Sequence, residues 1–390
     1  MIDLEIASGG KLRVVHILSG DLWGGSEAQM WIQLPVLREA ACDVQAIIFN
    51  EAELSTRLSE RGVPVFVIPE QNGFIRLFKA ALSVCRKIEP DIIVGHGYKE
   101  NILGFLVCLF LKCKLVTTFH GATEYYSGFA KLKGSFYIYI SRLIARRFSA
   151  RIVCVSDSIA RTLKFSPLEK VRIIRNVVAE MKHEVQNDDC GLYRDGRPAI
   201  ALVGRLVGVK RPDLAILTLA RLNENFEQLG LRQTPHLYLI GSGPLEQELK
   251  KLTERLGLET QVHFLGFKEN AAAYISAADV LLISSDSEGI PTVLLEAISL
   301  KTPVVSTDVG GVPEVFEQVK SHPHRMVPAG DVAGLAEAIA GVCHSAYDSE
   351  NMSAMFEASG RELSRNFLPA SAVAKHLELY REIVTSTLYA

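Results

Sequence analysis

Short apolar runs alternate with longer amphipathic stretches along almost the whole chain. Nearly continuous apolar runs of about four to seven residues are typical of strands that a parallel sheet buries on both faces. The predicted strands are Leu12–Leu18, Asp43–Phe49, Val63–Ile68, Asp91–Val94, Lys114–Thr118, Arg151–Val155, Val171–Ile174, Ala199–Val203, Leu237–Ile240, Val262–Phe264, Asp279–Ile283 and Thr302–Ser306. Because stretches of helical length separate them, the alternation predicts an α/β fold with parallel sheets.

Helices are predicted between these strands, and the last helix has no strand after it. The predicted helices include Ser26–Ala40, Ile75–Ile88, Ser135–Phe148, Ser156–Leu163, Pro212–Leu229, Leu245–Leu256, Pro291–Leu300, Val332–Val342 and Ala370–Ile383. The terminal helix is expected either to cap its own domain or to cross back onto the first one.

The chain divides at a polar segment without periodicity, from His183 to Arg197. Its 390 residues exceed one ordinary core, so two domains are expected. We assign residues 1–180 and 181–368 to two Rossmann-like domains and residues 369–390 to the terminal helix. Two doubly wound domains that face each other would place a ligand cleft at the carboxyl ends of their strands.

Composition excludes several classes of protein. Hydrophobic residues make up 48% and charged residues 22% of the chain, which is typical of a globular fold. The seven cysteines are scattered without a CxxC spacing and are expected to be reduced core residues. The segment MIDLEIASGG lacks the apolar region of a signal peptide, and the apolar stretch from Ile102 to Leu111 is too short to span a bilayer. These features predict a cytoplasmic protein.

Positive charge is concentrated in the first half of the chain, although the whole chain carries a net charge of −2. The segment Lys112–Arg175 contains thirteen basic and three acidic residues, with aromatic and aliphatic residues between the arginines. It is interpreted either as a solvated basic face or as a surface for anionic lipid head groups or an anionic acceptor. No nucleic-acid-binding module accompanies the charge, so nucleic acid is not expected as a partner.

Two glutamates, eight residues apart, follow one of the predicted strands. Glu288 lies in a Gly/Pro turn and Glu296 lies inside the apolar run behind it. Pro291 suits the first position of a helix, because its fixed φ is compatible with that position and its missing N–H costs little. At ~1.5 Å rise per residue the carboxylates are on the order of 10 Å apart, too far to share a proton. This spacing suits two ends of an elongated polar ligand, with a helix N-terminus that favours anions between them.

A loop with two cations follows the strand Ala199–Val203. It contains Gly204, Arg205 and Lys210, and the two cations suit a diphosphate. The guanidinium can bind oxygens with two N–H groups, whereas the ammonium acts as a point charge. Surface charges without a function are the alternative interpretation.

Glycines and histidines also lie directly after strands. Gly24 and Gly25 follow the first strand and Gly241 follows a later one, and at each the backbone N–H groups can approach a phosphate or a sugar closely. His120 and His96 each precede a glycine at a strand end. A single histidine is more often a hydrogen-bonded polar residue than a catalyst, so both interpretations stay open here.

Several catalytic patterns are absent from the sequence. The glycines after the first strand are not followed by the G-K-[ST] of a P-loop or by the GxGxxG dinucleotide fingerprint. A GxSxG elbow is missing, and the histidines are too dispersed to predict a metal site. The sequence therefore predicts neither a nucleophilic hydrolase nor a bound metal.

Taken together, these positions resemble the retaining glycosyltransferases of the GT-B fold (glycosyltransferase family 4, glycosyl transferases group 1), which use nucleotide-diphosphate sugars. The resemblance covers nearly the whole chain and rests on the E-x7-E pair of Glu288 and Glu296 and on the G-R-x4-K loop. Supporting motifs are W-G-G-S-E at 23–27, F-H-G at 119–121, V-S at 155–156 and G-S-G-P at 241–244.

The resemblance implies a role for each motif residue. Glu296 would hold the ribose hydroxyls and Glu288 the donor sugar, while Arg205 and Lys210 would neutralise the diphosphate leaving group. His120 would lie near the reacting centre. The remaining implied donor-binding residues are Gly24, Gly25, Gly204, Gly241, Gly289, Ile290, Pro291 and Thr292.

The implied function is transfer of a hexose-type sugar from a UDP-sugar, or less favoured a GDP-sugar, to a glycan or lipid-linked acceptor of surface polysaccharide or lipopolysaccharide. The first domain would lie on the acceptor side, and the second would bind the donor without a metal or other cofactor. The protein would be cytoplasmic or peripheral on the cytoplasmic face of the membrane. A sugar-nucleotide epimerase or hydrolase, or a non-catalytic partner subunit, is the alternative.

Three positions depart from the family pattern. Lys301 replaces a common glycine, and the segment Arg175-Asn176-Val177 replaces Pro-Asn-Gly, so both are expected to change local packing. Ile290 occupies a position often filled by a bulkier residue, which bears on donor choice.

Overall fold

The computed structural model describes residues 11–20, 23–40, 42–121, 129–165, 168–179, 197–345 and 349–385. The described residues form two compact units. The first contains those up to Val177 together with those from Leu368 onward, and the second contains those from Val178 to Phe367. The predicted linker lies outside the described residues, except for Arg197.

The first unit is a seven-stranded parallel sheet with helices between the strands. Its elements are β1 Leu12–Leu18, α1 Gly25–Ala40, β2 Cys42–Ile48, α2 Glu53–Glu60, β3 Val65–Val67, α3 Phe74–Ile88, β4 Ile92–Gly95, α4 Tyr98–Phe110, β5 Lys114–Phe119, α5 Phe129–Arg147, β6 Arg151–Cys154, α6 Asp157–Leu163 and β7 Val171–Ile173. The strand order is β3-β2-β1-β4-β5-β6-β7. The order reverses between β1 and β4, and such a switch point opens a ligand crevice at the carboxyl ends of the strands.

The second unit repeats this plan with a six-stranded parallel sheet. Its elements are β8 Ala199–Val203, α7 Pro212–Asn225, β9 His236–Ile240, α8 Glu246–Arg255, β10 Val262–Gly266, α9 Ala271–Ala277, β11 Val280–Ile283, α10 Thr292–Ser299, β12 Val304–Thr307, α11 Val312–Phe316, β13 His324–Val327, α12 Val332–Ser345 and α13 Ser349–Asn366. The strand order is β10-β9-β8-β11-β12-β13, so the switch point lies between β8 and β11. The predicted architecture of two doubly wound parallel sheets is confirmed.

The last helix of the chain, α14 Pro369–Thr385, belongs to the first unit and packs against α1. At the end of that unit, buried Gln29 of α1 holds the backbone of Val177 with two hydrogen bonds of 2.7 Å. Its amide donates to the Val177 carbonyl, and its Oε1 accepts from the Val177 N–H. Arg175, two residues earlier, forms an ion pair with Asp157.

Several element boundaries differ from the sequence prediction. Strand β13 was not predicted, because its four residues His-Arg-Met-Val form neither an apolar run nor an alternating pattern and are partly exposed at a sheet edge. Pro291 is the N-cap residue of α10, with an extended ψ of 125°, and does not occupy the first position of the helix. Helix α8 begins at Glu246, one residue later than predicted and two residues after Pro244. Lys301 has a left-handed φ of 61°, a conformation that suits the glycine it replaces.

Candidate active site

The predicted donor-binding residues of the second unit gather at its switch point. The loop after β8 carries Lys210, and the loop after β11 carries Glu288. Because β8 and β11 are neighbours in the sheet, residues 78 positions apart along the chain come into contact there. The described residues thus place the two best motifs of the sequence at the expected crevice.

Lys210 and Glu288 form a close ion pair. The Lys210 Nζ donates to both carboxylate oxygens of Glu288, at 2.6 and 2.8 Å. The hydroxyl of Ser285 donates to the same carboxylate at 2.6 Å. The Glu288 side chain is 8% exposed and that of Lys210 is 31% exposed. The Glu288 carboxylate is therefore fixed by Lys210 and Ser285, while part of the Lys210 ammonium stays accessible to a ligand.

The loop after β8 is held in place by the end of β11. The hydroxyl of Ser284 donates to the backbone carbonyls of Lys210 and Arg211, at 3.0 and 2.8 Å. The Asp286 N–H donates to the carbonyl of Val209 at 2.8 Å. These bonds fix the backbone of the cationic loop, so that Lys210 reaches Glu288 without rearrangement.

The neighbouring cation, Arg211, forms ion pairs with two aspartates of its own unit. Its guanidinium pairs with Asp213 at 2.9 Å and with Asp286 at 3.2 Å. Hydrogen bonds to Asp213 and the charges of both aspartates raise its pKa above the ordinary value. Arg211 therefore anchors the loop to the start of α7.

Glycines allow the loops after β8 and β9 to touch. A Cβ on Gly241 would lie 2.0 Å from the carbonyl oxygen of Gly204, and one on Gly243 would lie 2.4 Å from that of Leu206. Gly204 and Gly241 also have positive φ values of 152° and 141°. The G-S-G-P motif is thus required for close backbone packing, which brings its N–H groups beside the cationic loop.

A third loop supports the turn that contains Glu288. Gly310 follows β12 with a φ of 60°, and a Cβ there would lie 1.9 Å from the Glu288 carbonyl oxygen. Next to it, the Gly311 N–H donates to the carbonyl of Gly289 at 2.7 Å. The glycine pair after β12 therefore packs directly beneath the turn.

Arg205 differs from Lys210 in having no partner. The residue is exposed, and in the described part of the chain its guanidinium forms neither an ion pair nor a hydrogen bond. It is therefore available for an anionic ligand at the same loop.

Glu296 likewise has no partner in the described part of the chain, but its carboxyl group is largely withdrawn from water. Among the described side chains and backbone groups, none forms a hydrogen bond or ion pair with it. Burial raises its pKa from 4.5 to about 7. In its ionised form, a carboxylate without a protein partner is suited to accept hydrogen bonds from ligand hydroxyls.

The residues between the two glutamates are mostly enclosed. Ile290 is 2% exposed and packs in the core of the second unit, so its side chain serves the core. Pro291 is buried as well, whereas Thr292 is partly exposed at the first turn of α10. The backbone N–H groups of this turn are the parts of the segment that an anion can meet.

The other predicted residues lie in the first unit, at the ends of β1 and β5. Gly24 precedes α1, Gly25 begins it, and the Gly24 carbonyl accepts from the Ala28 N–H. His120 directly follows β5, and its Nε2 lies 3.0 Å from Nδ1 of His96.

Sequence reasoning missed several contacts of these sites. It did not select Ser285 or Ser284, although both directly follow the apolar strand β11, nor did it join His16 to His96 and His120. The two serines could have been selected from the sequence, because they directly follow a predicted strand. For His16, which lies inside β1, no local signal exists.

Two doubly wound parallel sheets, with a cation and a carboxylate paired at a switch point, are typical of α/β proteins that bind a ligand beyond the carboxyl ends of their strands. A model of glycosyltransferase family 4 matches residues 23–180, and a model of glycosyl transferases group 1 matches residues 191–362. The chain therefore belongs to these glycosyltransferases.

Individual relatives are similar to different extents. The putative teichuronic acid biosynthesis glycosyltransferase TuaC of Bacillus subtilis is 34% identical over 41% of this chain and 36% of its own length. The alignment thus spans only about a third of that relative. The O-antigen biosynthesis glycosyltransferase WbnH of Escherichia coli is 26% identical over 74% of this chain and 80% of its own.

The fold has close structural counterparts. The crystal structure of Anabaena HepE in complex with UDP and glucose superposes with a TM-score of 0.79, covering 95% of this chain and 100% of HepE at 18% identity. The similarity confirms the predicted GT-B fold class.

Proposed function

We propose that the protein transfers a hexose from a UDP-sugar to a glycan or lipid-linked acceptor of a surface polysaccharide, with retention of configuration. The observation that carries the proposal is the group of one paired cation, one unpaired cation and one unpaired carboxyl at a single switch point. Polysaccharide-forming relatives and the UDP complex of HepE favour this donor and acceptor class.

The proposed roles follow from the chemistry of each group. Arg205 and Lys210 neutralise the charge that grows on the departing diphosphate, which is where electrostatic catalysis contributes most. Glu296 accepts hydrogen bonds from the ribose hydroxyls, and Glu288 orients the donor sugar from its fixed position. In front-face attack the departing phosphate takes the proton of the acceptor hydroxyl, so no protein nucleophile is required. Independence from a metal ion remains part of the proposal.

A nucleotide-sugar screen tests this function. We expect UDP and one UDP-sugar to raise the melting temperature, because a ligand at about a hundredfold excess over Kd stabilises the fold by about 2.7 kcal/mol. The same UDP-sugar with a lipid-linked acceptor should release UDP and yield a glycosylated product.

Two other outcomes would contradict the proposal. Release of free sugar or of an epimer without acceptor indicates a hydrolase or epimerase. Failure of every nucleotide sugar to bind indicates a non-catalytic partner subunit. A preference for GDP over UDP would correct the donor base alone.

We further propose that α5 docks on an anionic membrane surface that presents the acceptor. Phe136, Tyr139 and Leu143 occupy one stripe of α5 with spacings of three and four residues, and they are 62%, 64% and 40% exposed. Exposed Arg146 and Arg147 follow in the last turn. Apolar side chains beside arginines are typical of interfacial helices.

Near the carboxyl end of α5, the apolar surface extends onto α4. Phe148 packs against Phe105 of α4 with ring centroids 4.6 Å apart, yet 57% of Phe148 stays exposed. Leu109 and Phe110, at the end of α4, are each 62% exposed. No helix in the described ranges is long and apolar enough to cross a membrane.

Vesicle sedimentation tests the membrane surface. The protein should pellet with vesicles containing phosphatidylglycerol and less with phosphatidylcholine alone, and salt should weaken the binding. The variant Tyr139→Ser/Leu143→Ser should lose most of this binding. Phe267→Ser, which removes a 48% exposed ring from the second unit, should retain it. Equal pelleting of both variants, or salt-insensitive absence of binding, would contradict the membrane proposal.

A further inference from the structure

Three histidines from neighbouring strands form a hydrogen-bonded row in the first unit. His16 lies in β1, His96 directly follows β4 and His120 directly follows β5. The His16 Nδ1 lies 2.8 Å from Nε2 of His96, and the His96 Nδ1 lies 3.0 Å from Nε2 of His120. The rings are stacked, with centroids 5.1 and 5.3 Å apart. The row crosses the switch point of this sheet and ends at the predicted site residue His120.

The row consists of neutral rings at physiological pH. Burial lowers the pKa of His16 to about 3 and that of His120 to about 4. Burial also lowers the pKa of His96 well below its ordinary value, and the neighbouring histidines lower it further. A neutral imidazole carries one N–H donor and one acceptor nitrogen.

Two hydrogen bonds in series restrict the protons of the whole row. Each ring that donates through one nitrogen must accept through the other, so all protons of the row point in the same direction. Only two arrangements satisfy both bonds, and in each the tautomer of His16 fixes the tautomer of His120. The tautomer of His120 is therefore coupled to that of His16, a residue in the core of the sheet.

The two terminal nitrogens of the row make no hydrogen bond to any described residue. Within the described residues, the Nε2 of His16 and the Nδ1 of His120 are buried and have no hydrogen-bond partner. Among the described residues, His376 of α14 lies near all three histidines, and Tyr380 of the same helix packs against His376. Burial lowers the pKa of His376 to about 4 and raises that of Tyr380, so both are neutral too. The Nδ1 of His120 is thus a buried ring nitrogen, without a partner among the described residues, whose protonation is tied to that of His16.

We propose that His16 and His96 are positioning residues, which hold the ring of His120, the predicted site residue at the end of β5, in one orientation and one tautomer. This inference rests on the proposed transferase function. His96 and His16 act on the reaction through His120 alone.

Two amide variants of His96 distinguish a role in positioning His120 from a role in packing alone. Asparagine places its amide where Nδ1 was and keeps the bond to His120, whereas glutamine places it where Nε2 was and keeps only the bond to His16. We expect His96→Gln to lower kcat about tenfold. His96→Asn should lower kcat by a factor several times smaller. The KM for the donor should change little in both. Equal losses in the two variants, or a loss confined to KM, would overturn the assignment.

The tautomer itself can be measured without any turnover. Long-range ¹H–¹⁵N NMR spectra of protein labelled at histidine distinguish the two neutral forms of an imidazole. In the unmodified protein His120 should give a single tautomer, and in His16→Phe and His96→Gln it should give a mixture. Unchanged His120 nitrogen shifts in both variants would overturn the proposal.

Binding of UDP distinguishes this inference from the proposed function. Both variants should keep the UDP-induced rise in melting temperature, since the diphosphate-binding cations lie in the second unit. If the unmodified protein neither binds UDP nor transfers sugar while the tautomer responds as predicted, the row is real and the transferase function is wrong.

Discussion

Replacing Lys210 by methionine should lower kcat for sugar transfer by about two to three orders of magnitude, and Arg205→Ala should have a comparable effect. Both cations are proposed to meet charge that grows on the departing diphosphate, so their loss affects the transition state more than the ground state. The measurement is steady-state release of UDP with a saturating acceptor. Lys251→Met removes an exposed lysine of α8 and should leave kcat unchanged.

Loss of Lys210 also has a structural cost that must be separated from catalysis. The Glu288 side chain is 8% exposed, and without the Lys210 ammonium its carboxylate keeps, among the described side chains, only Ser285 as a partner, so we expect the free energy of unfolding to fall by about 1–3 kcal/mol. The double variant Lys210→Met/Glu288→Gln should regain most of that stability and none of the activity. Recovery of activity together with stability would show that Lys210 serves the fold alone.

Replacing Glu296 by glutamine should stabilise the fold and weaken donor binding. The native carboxyl has a pKa raised from 4.5 to about 7, so its contribution to stability is present below pH 4.5 and is lost as pH rises through 7. At pH 8 the charged carboxylate costs about 2 kcal/mol after allowance for its partial exposure, and glutamine removes that cost. UDP affinity should fall about 10- to 100-fold, because a charged acceptor for two ribose hydroxyls is lost.

The pH dependence gives this prediction an independent check. The ionised carboxylate is the form that accepts hydrogen bonds from both ribose hydroxyls. UDP affinity of the unmodified protein should therefore decrease as pH falls below about 7. In Glu296→Gln that dependence should largely vanish, and the stability difference should disappear below pH 4.5. Denaturant unfolding and calorimetric titration measure these quantities, with Glu337→Gln, which changes an exposed residue of α12, as control. A Glu296→Gln variant that is less stable at pH 8 would contradict the assignment.

The buried strands were predictable because their apolar patterns are local. Strands β1 and β8 have the predicted bounds, and most other elements differ by one to three residues at their ends. The exceptions have physical causes. Strand β13 is a partly exposed edge strand, and the prolines before α8 and α10 lie outside those helices because a fixed φ is equally compatible with the preceding turn.

The candidate site was predictable as a set of positions, but its contacts were not. Gly204, Arg205, Lys210 and Glu288 could be selected because each lies after a strand and parallel strands end at one edge of a sheet. That Lys210 pairs with Glu288, that Arg211 is occupied by two aspartates, and that Glu296 has no partner depends on side-chain distances. Local pattern carries no information on these.

The sequence by itself therefore determined the two parallel sheets, the strand ends that carry chemistry and the family resemblance, since periodicity and turn residues act over a few positions. Only the tertiary structure decided which of these strand ends meet. In both sheets the strand order is not the chain order: β1 lies beside β4, and β8 lies beside β11. This crossing joins His16 to His96 and Lys210 to Glu288, over 80 and 78 residues of chain.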